Sequence, residues 1–116
     1  MDSRERGQQR RYYRVVYPTT LRPVLLLGDE SLPIIDICEN GVRFVAGKSA
    51  QIEVGTPVEA TVKFRSGHDT VIRGTIVRAG AREVAINIER GVTFRLIIAE
   101  QRMLLELAKY AVRAGA

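Results

Sequence analysis

Apolar and polar residues alternate along most of the chain with a period of two. The clearest stretch runs from Val58 to Phe64, where every second residue is apolar and the residues between are polar or charged. This period is typical of a strand with one buried face. Five further apolar or alternating segments lie at 24–27, 32–38, 42–45, 70–78 and 83–89. Together they predict a mainly β fold, and a six-stranded antiparallel (split) barrel is the closure that leaves few exposed edges.

Prolines and one glycine mark expected irregularities in these strands. Pro18 and Pro23 interrupt the first apolar stretch, so we expect an edge strand or a strand that is broken in two. Gly74 lies in the middle of the segment 70–78 and predicts a bend or bulge there.

The period changes to that of a helix near the C-terminus. Ile97, Leu104, Leu107, Ala108 and Ala111 fall near one helical face, with Glu100, Arg102, Glu106 and Lys109 largely on the opposite face. This pattern predicts an amphipathic helix from about Leu96 to Arg113. Met103, Leu105 and Val112 widen its apolar surface beyond what one side of a barrel needs. A homodimer or a partner contact through this helix is therefore a hypothesis.

The strand at 32–38 carries the most informative pattern. Side chains two apart on a strand point the same way. Asp36 and Cys38 therefore share one face, and Ile35 and Ile37 share the other. With the isoleucines in the core, the acid and the thiol are predicted to lie on the outer surface.

The turn after this strand is predicted to be a tight one. Asn40-Gly41 suits the positive φ of a type I′ hairpin turn. The chain is therefore expected to double back at these two residues into the strand 42–45.

Composition narrows the class of protein. The chain has 116 residues, of which 46% are hydrophobic and 27% charged, as in one folded domain and unlike a largely disordered chain. One cysteine and one histidine leave no internal disulfide and no metal-ligand set. The apolar runs are too short to span a membrane, and residues 1–14 lack the apolar stretch of a signal peptide. A cytoplasmic protein without membrane insertion is therefore expected.

Most of the excess positive charge lies at the N-terminus. Of the formal net charge of +5, residues 1–14 carry +3, and all their basic residues are arginines. An arginine fork grips phosphate or a guanine edge in a bidentate way and stacks on flat rings. Residues 1–9 show no hydrophobic period and are expected to form a flexible arm, for which a solubilising tail is the simpler interpretation.

Two motifs on this strand pattern resemble those of the PilZ domain family. Arg10 and Arg14 form an RxxxR motif at the root of the arm. Asp36-x-Cys38-x-x-Gly41 matches the family's DxSxxG motif, except that Cys38 replaces the serine. The separation of about 20 residues between the motifs, the Gly-x-Pro before the middle strand, the Gly-x-Ile-Val-Arg segment and the C-terminal helix are also similar to the family.

The resemblance covers nearly the whole chain. It implies a single PilZ-like domain over 10–116 that follows the arm, with a barrel at about 15–94 and a helix at about 96–113. PilZ domains are bacterial receptors for the second messenger cyclic di-GMP. The resemblance therefore implies this ligand, no other cofactor and no enzymatic activity.

The ligand-binding residues that the resemblance implies are Arg10, Arg14, Asp36, Cys38 and Gly41, with Arg11 as an additional candidate. In this assignment the arginines contact phosphate and the O6/N7 edge of guanine, and Asp36 accepts hydrogen bonds from N1–H and N2–H. Cys38 stands where the family's serine hydroxyl contacts the ligand. Gly41 permits the turn and a close approach of the ligand to the backbone.

The expected mechanism is an ordering of the arm by the ligand. Guanine and phosphate would draw Arg10 and Arg14 across the barrel to Asp36 and Cys38, and a partner protein would read the new surface. A thiol is a weaker hydrogen-bonding group than a hydroxyl. We therefore expect Cys38 to cost about 1 kcal/mol, or several-fold in affinity, without ending binding.

Two alternatives stay open on the sequence alone. Cys38 favours a degenerate PilZ-like interaction module that binds no nucleotide, whereas the retained arginines, Asp36 and Gly41 argue against it. A small-barrel nucleic-acid-binding protein would use the basic arm, but the chain has no Trp and only three Phe, so stacking platforms are few. The downstream partner and pathway, the oligomeric state and the ligand stoichiometry do not follow from the sequence.

Overall fold

A computed structural model describes residues 14–48 and 52–115. Within these ranges the chain forms seven strands, a short 3-10 turn at Thr19–Leu21 and one α-helix. The strands are β1 (Val15–Val16), β2 (Val24–Leu27), β3 (Glu30–Cys38), β4 (Gly41–Val45), β5 (Pro57–Lys63), β6 (Asp69–Ala79) and β7 (Glu83–Arg90), and the helix is α1 (Phe94–Gly115). In the part described, no helix is long and apolar enough to cross a membrane.

Six of these strands close into an antiparallel barrel. Their order is β3-β2-β5-β6-β7-β4, and β4 pairs back onto β3. β1 lies outside this ring and pairs with β3. Closure gives each strand of the ring a partner on both sides, which removes exposed edges. The predicted mainly β fold, a six-stranded antiparallel barrel with a C-terminal helix, is confirmed.

β3 is long enough to pair with three other strands. Its first half pairs with β2, where Pro33 lies opposite Val24, and its second half pairs with β4. β1 pairs with the same second half, so that Val16 lies opposite Asp36. The end of β3 that carries the motif is therefore flanked by a strand on each side.

The alternating residues predicted to face inward fill the barrel. Along β5 and just after it, Ala60, Val62 and Phe64 are buried, whereas Glu59 and Lys63 are exposed. The largest fully buried side chains include Phe44, Leu25, Ile34, Ile37, Ile72, Ile76 and Ile86. Burial of one such side chain contributes about 1.5–3 kcal/mol to stability.

A bulge in β3 changes which residues face the core. The pairing register with β4 shifts between Ile34 and Asp36, so one extra residue enters the strand at this point. Ile34 and Ile37 are fully buried, whereas Ile35 is half-buried. The predicted inward pair of Ile35 and Ile37 is therefore wrong at Ile35, because the extra residue breaks the period of two.

Both irregularities predicted from proline and glycine are confirmed. Pro18 and Pro23 separate β1 from β2, with the 3-10 turn between them. The register between β6 and β7 shifts at Arg73 and Gly74. A Cβ on Gly74 would collide with the backbone oxygen of Asn87, so only glycine allows these strands to approach so closely.

The turn between β3 and β4 differs from the type I′ prediction. Cys38 pairs with Gly41, so the two connecting residues are Glu39 and Asn40. Across 14–48 and 52–115, positive φ occurs only at glycines 28, 55, 67 and 91. The predicted turn at Asn40-Gly41 is wrong because Gly41 belongs to β4, where it also pairs with Asn87 of β7.

The helix α1 starts and ends within two residues of the predicted positions. Thr93 caps its first turn, since the Oγ1 of Thr93 accepts a hydrogen bond from the backbone N–H of Leu96 at 3.2 Å. The helix packs against β1 and β3, and Ile97 is fully buried. Leu105 and Ala108 are exposed, although Ala108 was predicted on the packed face. The homodimer through this helix stays a prediction.

Glu100 lies on the buried side of α1, contrary to the prediction. Its relative exposure is 3%, and its Oε1 accepts a 2.6 Å hydrogen bond from the hydroxyl of Tyr17. A buried polar group is tolerated where it has such a partner. The prediction is wrong because the partner comes from a segment far from the helix in sequence.

Candidate functional site

Strand register places two rows of residues side by side on the outer wall of the barrel. One row consists of Asp36, Arg43, Ala85 and Arg78 and crosses β3, β4, β7 and β6. The neighbouring row consists of Cys38, Gly41 and Asn87. The residues between the rows on β3, β4 and β7, namely Ile37, Val42 and Ile86, are buried in the core. Asp36 and Cys38 therefore share one face of β3, as the alternation predicts.

A cavity of about 420 Å³ lies over these two rows. Gly41 and Ala85 belong to its floor, whereas Arg14, Arg78 and Asn87 contribute larger side chains to its lining. Glycine and alanine hardly rise above the sheet, which leaves space over Gly41 and Ala85 beside the larger side chains. The volume lies within the range of about 300–1,000 Å³ that is usual for small-molecule sites.

The carboxylate of Asp36 is buried and paired with Arg43. Asp36 is 2% exposed, and its Oδ2 accepts hydrogen bonds from Nε of Arg43, at 2.8 Å, and from Nη2 of the same side chain. Nη1 of Arg43 donates to Oε1 of Glu83 at 2.8 Å. The hydrogen bond with Asp36 raises the pKa of Arg43 above its usual value. A buried carboxylate needs such a partner because desolvation of the charge costs several kcal/mol.

Arg14 is the described member of the RxxxR motif. It immediately precedes β1, and the pairing of β1 with β3 brings it beside Asp36. Its Nη1 lies 3.7 Å from Oδ2 of Asp36, and its side chain is 56% exposed. Arg14 is the solvated partner in a long contact and Asp36 is already paired with Arg43, so we expect Arg14 to turn to a ligand at little cost. Arg10, Arg11 and the arm 1–9 lie outside the described residues.

Cys38 is buried beside Asp36, with 5% of its surface exposed. Its Sγ donates a hydrogen bond to Oδ1 of Asn40 at 3.0 Å, so the thiol bonds within its own turn. The exposed outer position predicted for Asp36 and Cys38 is wrong, because Arg43 and Asn40 bond to these side chains and shield them from solvent.

Polar side chains of the cavity that sequence reasoning missed include Arg43, Arg78 and Asn87. Arg43 carries a usable signal, since it lies between two apolar residues and the period of two directs it to the face opposite the core. Arg78 and Asn87 come from strands much later in the chain. Only the register of β6 and β7 with the hairpin brings them to this wall.

The cavity combines several cations with one buried carboxylate. Arg14, Arg43 and Arg78 supply guanidinium forks that suit phosphate oxygens or the acceptor edge of a base. Asp36 accepts from N–H groups, and the amide of Asn87 both donates and accepts. The arrangement suits an anionic ligand that also carries a base with adjacent N–H donors.

Comparison with known proteins agrees with the fold. The family model of the PilZ domain matches residues 8–110, which is most of the chain and includes both motifs. The crystal structure of an uncharacterized protein of Legionella is similar, with a TM-score of 0.51 and 14% sequence identity, over 90% of this chain and 100% of that chain. At this identity the similarity shows the fold alone. The comparison with curated proteins finds no match.

Proposed function

The chain belongs to the PilZ domain family, and we propose that it is a receptor that binds cyclic di-GMP in the cavity beside Arg14 and the β3–β4 hairpin. PilZ domains are binding modules, so the proposed output is a binding event and not catalysis. The observation that carries the proposal is the buried carboxylate of Asp36, with the guanidinium of Arg14 only 3.7 Å away. A guanine nucleotide offers N–H donors to the first group and phosphate oxygens to the second.

Asp36 would provide the base specificity of this receptor. Its carboxylate accepts hydrogen bonds only, so it matches the N1–H and N2–H donors of guanine. An adenine has a ring acceptor in place of N1–H, which would face the carboxylate without a donor. An adenine nucleotide would therefore forgo the hydrogen bonds to Asp36 that a guanine nucleotide makes.

Arg14 and Arg10 would provide the contacts to phosphate and to the acceptor edge of guanine. Arg10 lies four residues before Arg14, so the intervening backbone can reach about 13 Å. That distance is enough to carry a second fork across the cavity. Arg11 lies between them and would add a further cation or a stacking plane.

Gly41 and Cys38 would form the part of the floor nearest to the hairpin. Gly41 lacks a side chain, so a flat base can approach the backbone of β4 there. The thiol of Cys38 already donates its hydrogen bond to Asn40. It therefore makes a weaker hydrogen bond to a ligand than the serine hydroxyl of the family motif would. This difference lowers the affinity and leaves the charge-assisted contacts of Asp36 and the arginines intact.

Binding would change the surface of the protein through the arm. The arginines of the arm are drawn to the ligand, so the segment before Arg14 is held across the wall formed by β3, β4 and β7. A partner protein that distinguishes this covered wall from the uncovered one would read the presence of the second messenger.

Isothermal titration of the full chain with cyclic di-GMP tests the proposal, with GTP as the control ligand. We expect saturable binding to the wild-type protein and its loss in Asp36→Asn and in Arg14→Ala. Arg14 is exposed, so its replacement costs little stability and its effect reports on the site. Absence of heat and of chemical-shift changes for the wild-type protein at high micromolar ligand would overturn the proposal.

Arg73→Ala is the matched control for Arg14→Ala. Arg73 is also an exposed arginine, and it pairs with Glu59 at 2.7 Å. It lies five residues before Arg78 on β6, opposite Glu59 of β5 and Arg90 of β7, and it does not line the cavity. We expect Arg73→Ala to bind like the wild-type protein, because it removes the same charge at a place that the ligand does not touch.

A further inference from the structure

Arg43 offers Asp36 the same kind of donor group as guanine would, a planar pair of neighbouring N–H groups. Nε–H and Nη2–H of Arg43 are two neighbouring donors in one plane, and both donate to Oδ2 of Asp36. Guanine presents N1–H and N2–H as two neighbouring donors in one plane. The two groups therefore compete for one buried carboxylate.

We propose that Arg43 is a gate: before the ligand binds, it occupies the guanine position on Asp36, and cyclic di-GMP binds by displacing it. This inference rests on the proposed function and names a residue that adjusts the affinity of that site and strengthens the base preference given by Asp36. Asp36 receives two neighbouring N–H donors in both states. The exchange therefore leaves no buried carboxylate unpaired.

Glu83 makes the displacement feasible. Nη1 of Arg43 donates to Oε1 of Glu83 at 2.8 Å, and the two side chains are 33% and 36% exposed. When the guanidinium leaves Asp36, it keeps this partner and turns toward the cavity that it already lines. Its positive charge then lies beside the phosphates of the ligand, where it is favourable.

The gate also disfavours the binding of ligands that carry adenine in place of guanine. Adenine cannot replace both donors of Arg43 on Asp36, because its ring N1 is an acceptor. Such a ligand would have to leave Arg43 in place or lose a charge-assisted hydrogen bond. Arg43 is therefore expected to increase the preference for cyclic di-GMP over its adenine counterpart.

Arg43→Lys separates the competition from the charge. Lysine keeps the positive charge but offers a point charge in place of a planar fork, so it holds Asp36 less firmly. We expect Arg43→Lys to bind cyclic di-GMP about fivefold more tightly than the wild-type protein, the effect of about one net hydrogen bond. Arg73→Lys makes the same change in the pair with Glu59 and is expected to leave the affinity unchanged.

The Nε–H resonance of Arg43 reports the gate in the wild-type protein. It is assigned in a nitrogen–proton NMR spectrum by its absence from Arg43→Lys. We expect saturation with cyclic di-GMP to move this resonance away from its starting position, because the bond to Asp36 breaks. A resonance that stays in place at saturation would overturn the gate, whatever the affinity of Arg43→Lys.

The combined outcomes separate the gate from the proposed function. Wild-type binding with equal or weaker binding by Arg43→Lys keeps the receptor and overturns the gate. Binding by Arg43→Lys without binding by the wild-type protein overturns the receptor and the gate, because the ligand then does not displace Arg43 from Asp36 in the wild-type protein. Absence of binding by both proteins overturns the receptor and the gate together.

Discussion

The hydroxyl of Tyr17 donates a 2.6 Å hydrogen bond to Oε1 of Glu100, and both side chains are buried. Tyr17 follows β1 and lies three residues after Arg14, whereas Glu100 belongs to α1. The bond therefore connects the segment that carries the candidate ligand-binding arginine to the helix. Burial and the neighbouring Glu100 raise the pKa of Tyr17 well above its usual value, so the phenol keeps its proton and remains the donor.

Tyr17→Phe is expected to lower the free energy of unfolding by about 1–3 kcal/mol, because it leaves the buried Glu100 without its donor. Urea denaturation measures the loss. Replacing both partners, in Tyr17→Phe with Glu100→Met, is expected to recover part of it, since no buried polar group is then left alone. This account would be contradicted if the double variant lost as much free energy of unfolding as the two single variants lose together.

The free energy of unfolding is expected to fall as the pH rises, because Glu100 loses its proton. Burial raises the pKa of Glu100 above its ordinary 4.5, against the lowering effects of the Tyr17 hydrogen bond and the charge of His68. The folded state therefore holds this proton more tightly than the unfolded state. The contribution of Glu100 to the free energy of unfolding is therefore fully present below pH 4.5. It is lost as the pH rises through the raised pKa.

Glu100→Gln tests the pH dependence, because glutamine cannot lose the proton. Thermal unfolding measured from acidic to neutral pH is expected to show a smaller decline in this variant than in the wild-type protein. Glu106→Gln is the control, since Glu106 lies on the same helix but is 76% exposed. If the thermal stability of Glu100→Gln and of Glu106→Gln declined equally with pH, Glu100 would not be the group responsible.

Cys38→Ser is expected to raise the affinity for cyclic di-GMP several-fold, or by about 1 kcal/mol, because a hydroxyl is the stronger hydrogen-bonding group. Titration of both proteins measures the change, and Cys38→Ala controls for the loss of the thiol. Binding that appears only in Cys38→Ser would instead favour a degenerate domain that works through protein contacts.

Gly41→Leu is expected to abolish binding without unfolding the barrel. A Cβ at Gly41 would lie 3.7 Å from Sγ of Cys38 and 3.7 Å from the backbone oxygen of Ile86, which are ordinary contacts. The rest of the leucine would fill the cavity floor. Circular dichroism checks the fold and titration checks the ligand, and retained affinity would show that the ligand does not use this floor.

Gly74→Ala provides the contrasting glycine substitution. Its Cβ would collide with the backbone of Asn87 in the neighbouring strand, so we expect a loss of about 1–3 kcal/mol or more from strain. A stable Gly74→Ala variant would show that β6 and β7 can separate there.

The period of two was enough to predict a mainly β fold, because alternating apolar and polar residues indicate strands with one buried face and can be read from the sequence alone. β5 shows this directly, since Ala60 and Val62 face inward and Glu59 and Lys63 face outward. The break between β1 and β2 was equally predictable, because proline cannot donate to a strand ladder. The two motifs also named Arg14 and Asp36, which the folded chain brings within 3.7 Å of each other.

Strand register and the partners of buried charges were decided only by the tertiary structure. The bulge that turns Ile35 away from the core arises from the pairing of β3 with β4. Asp36 and Glu100 are buried because Arg43 and Tyr17 reach them. A buried carboxylate is stable only where the fold delivers a donor. The sequence by itself determined which side chains can pair, and the closed barrel decided which of them meet.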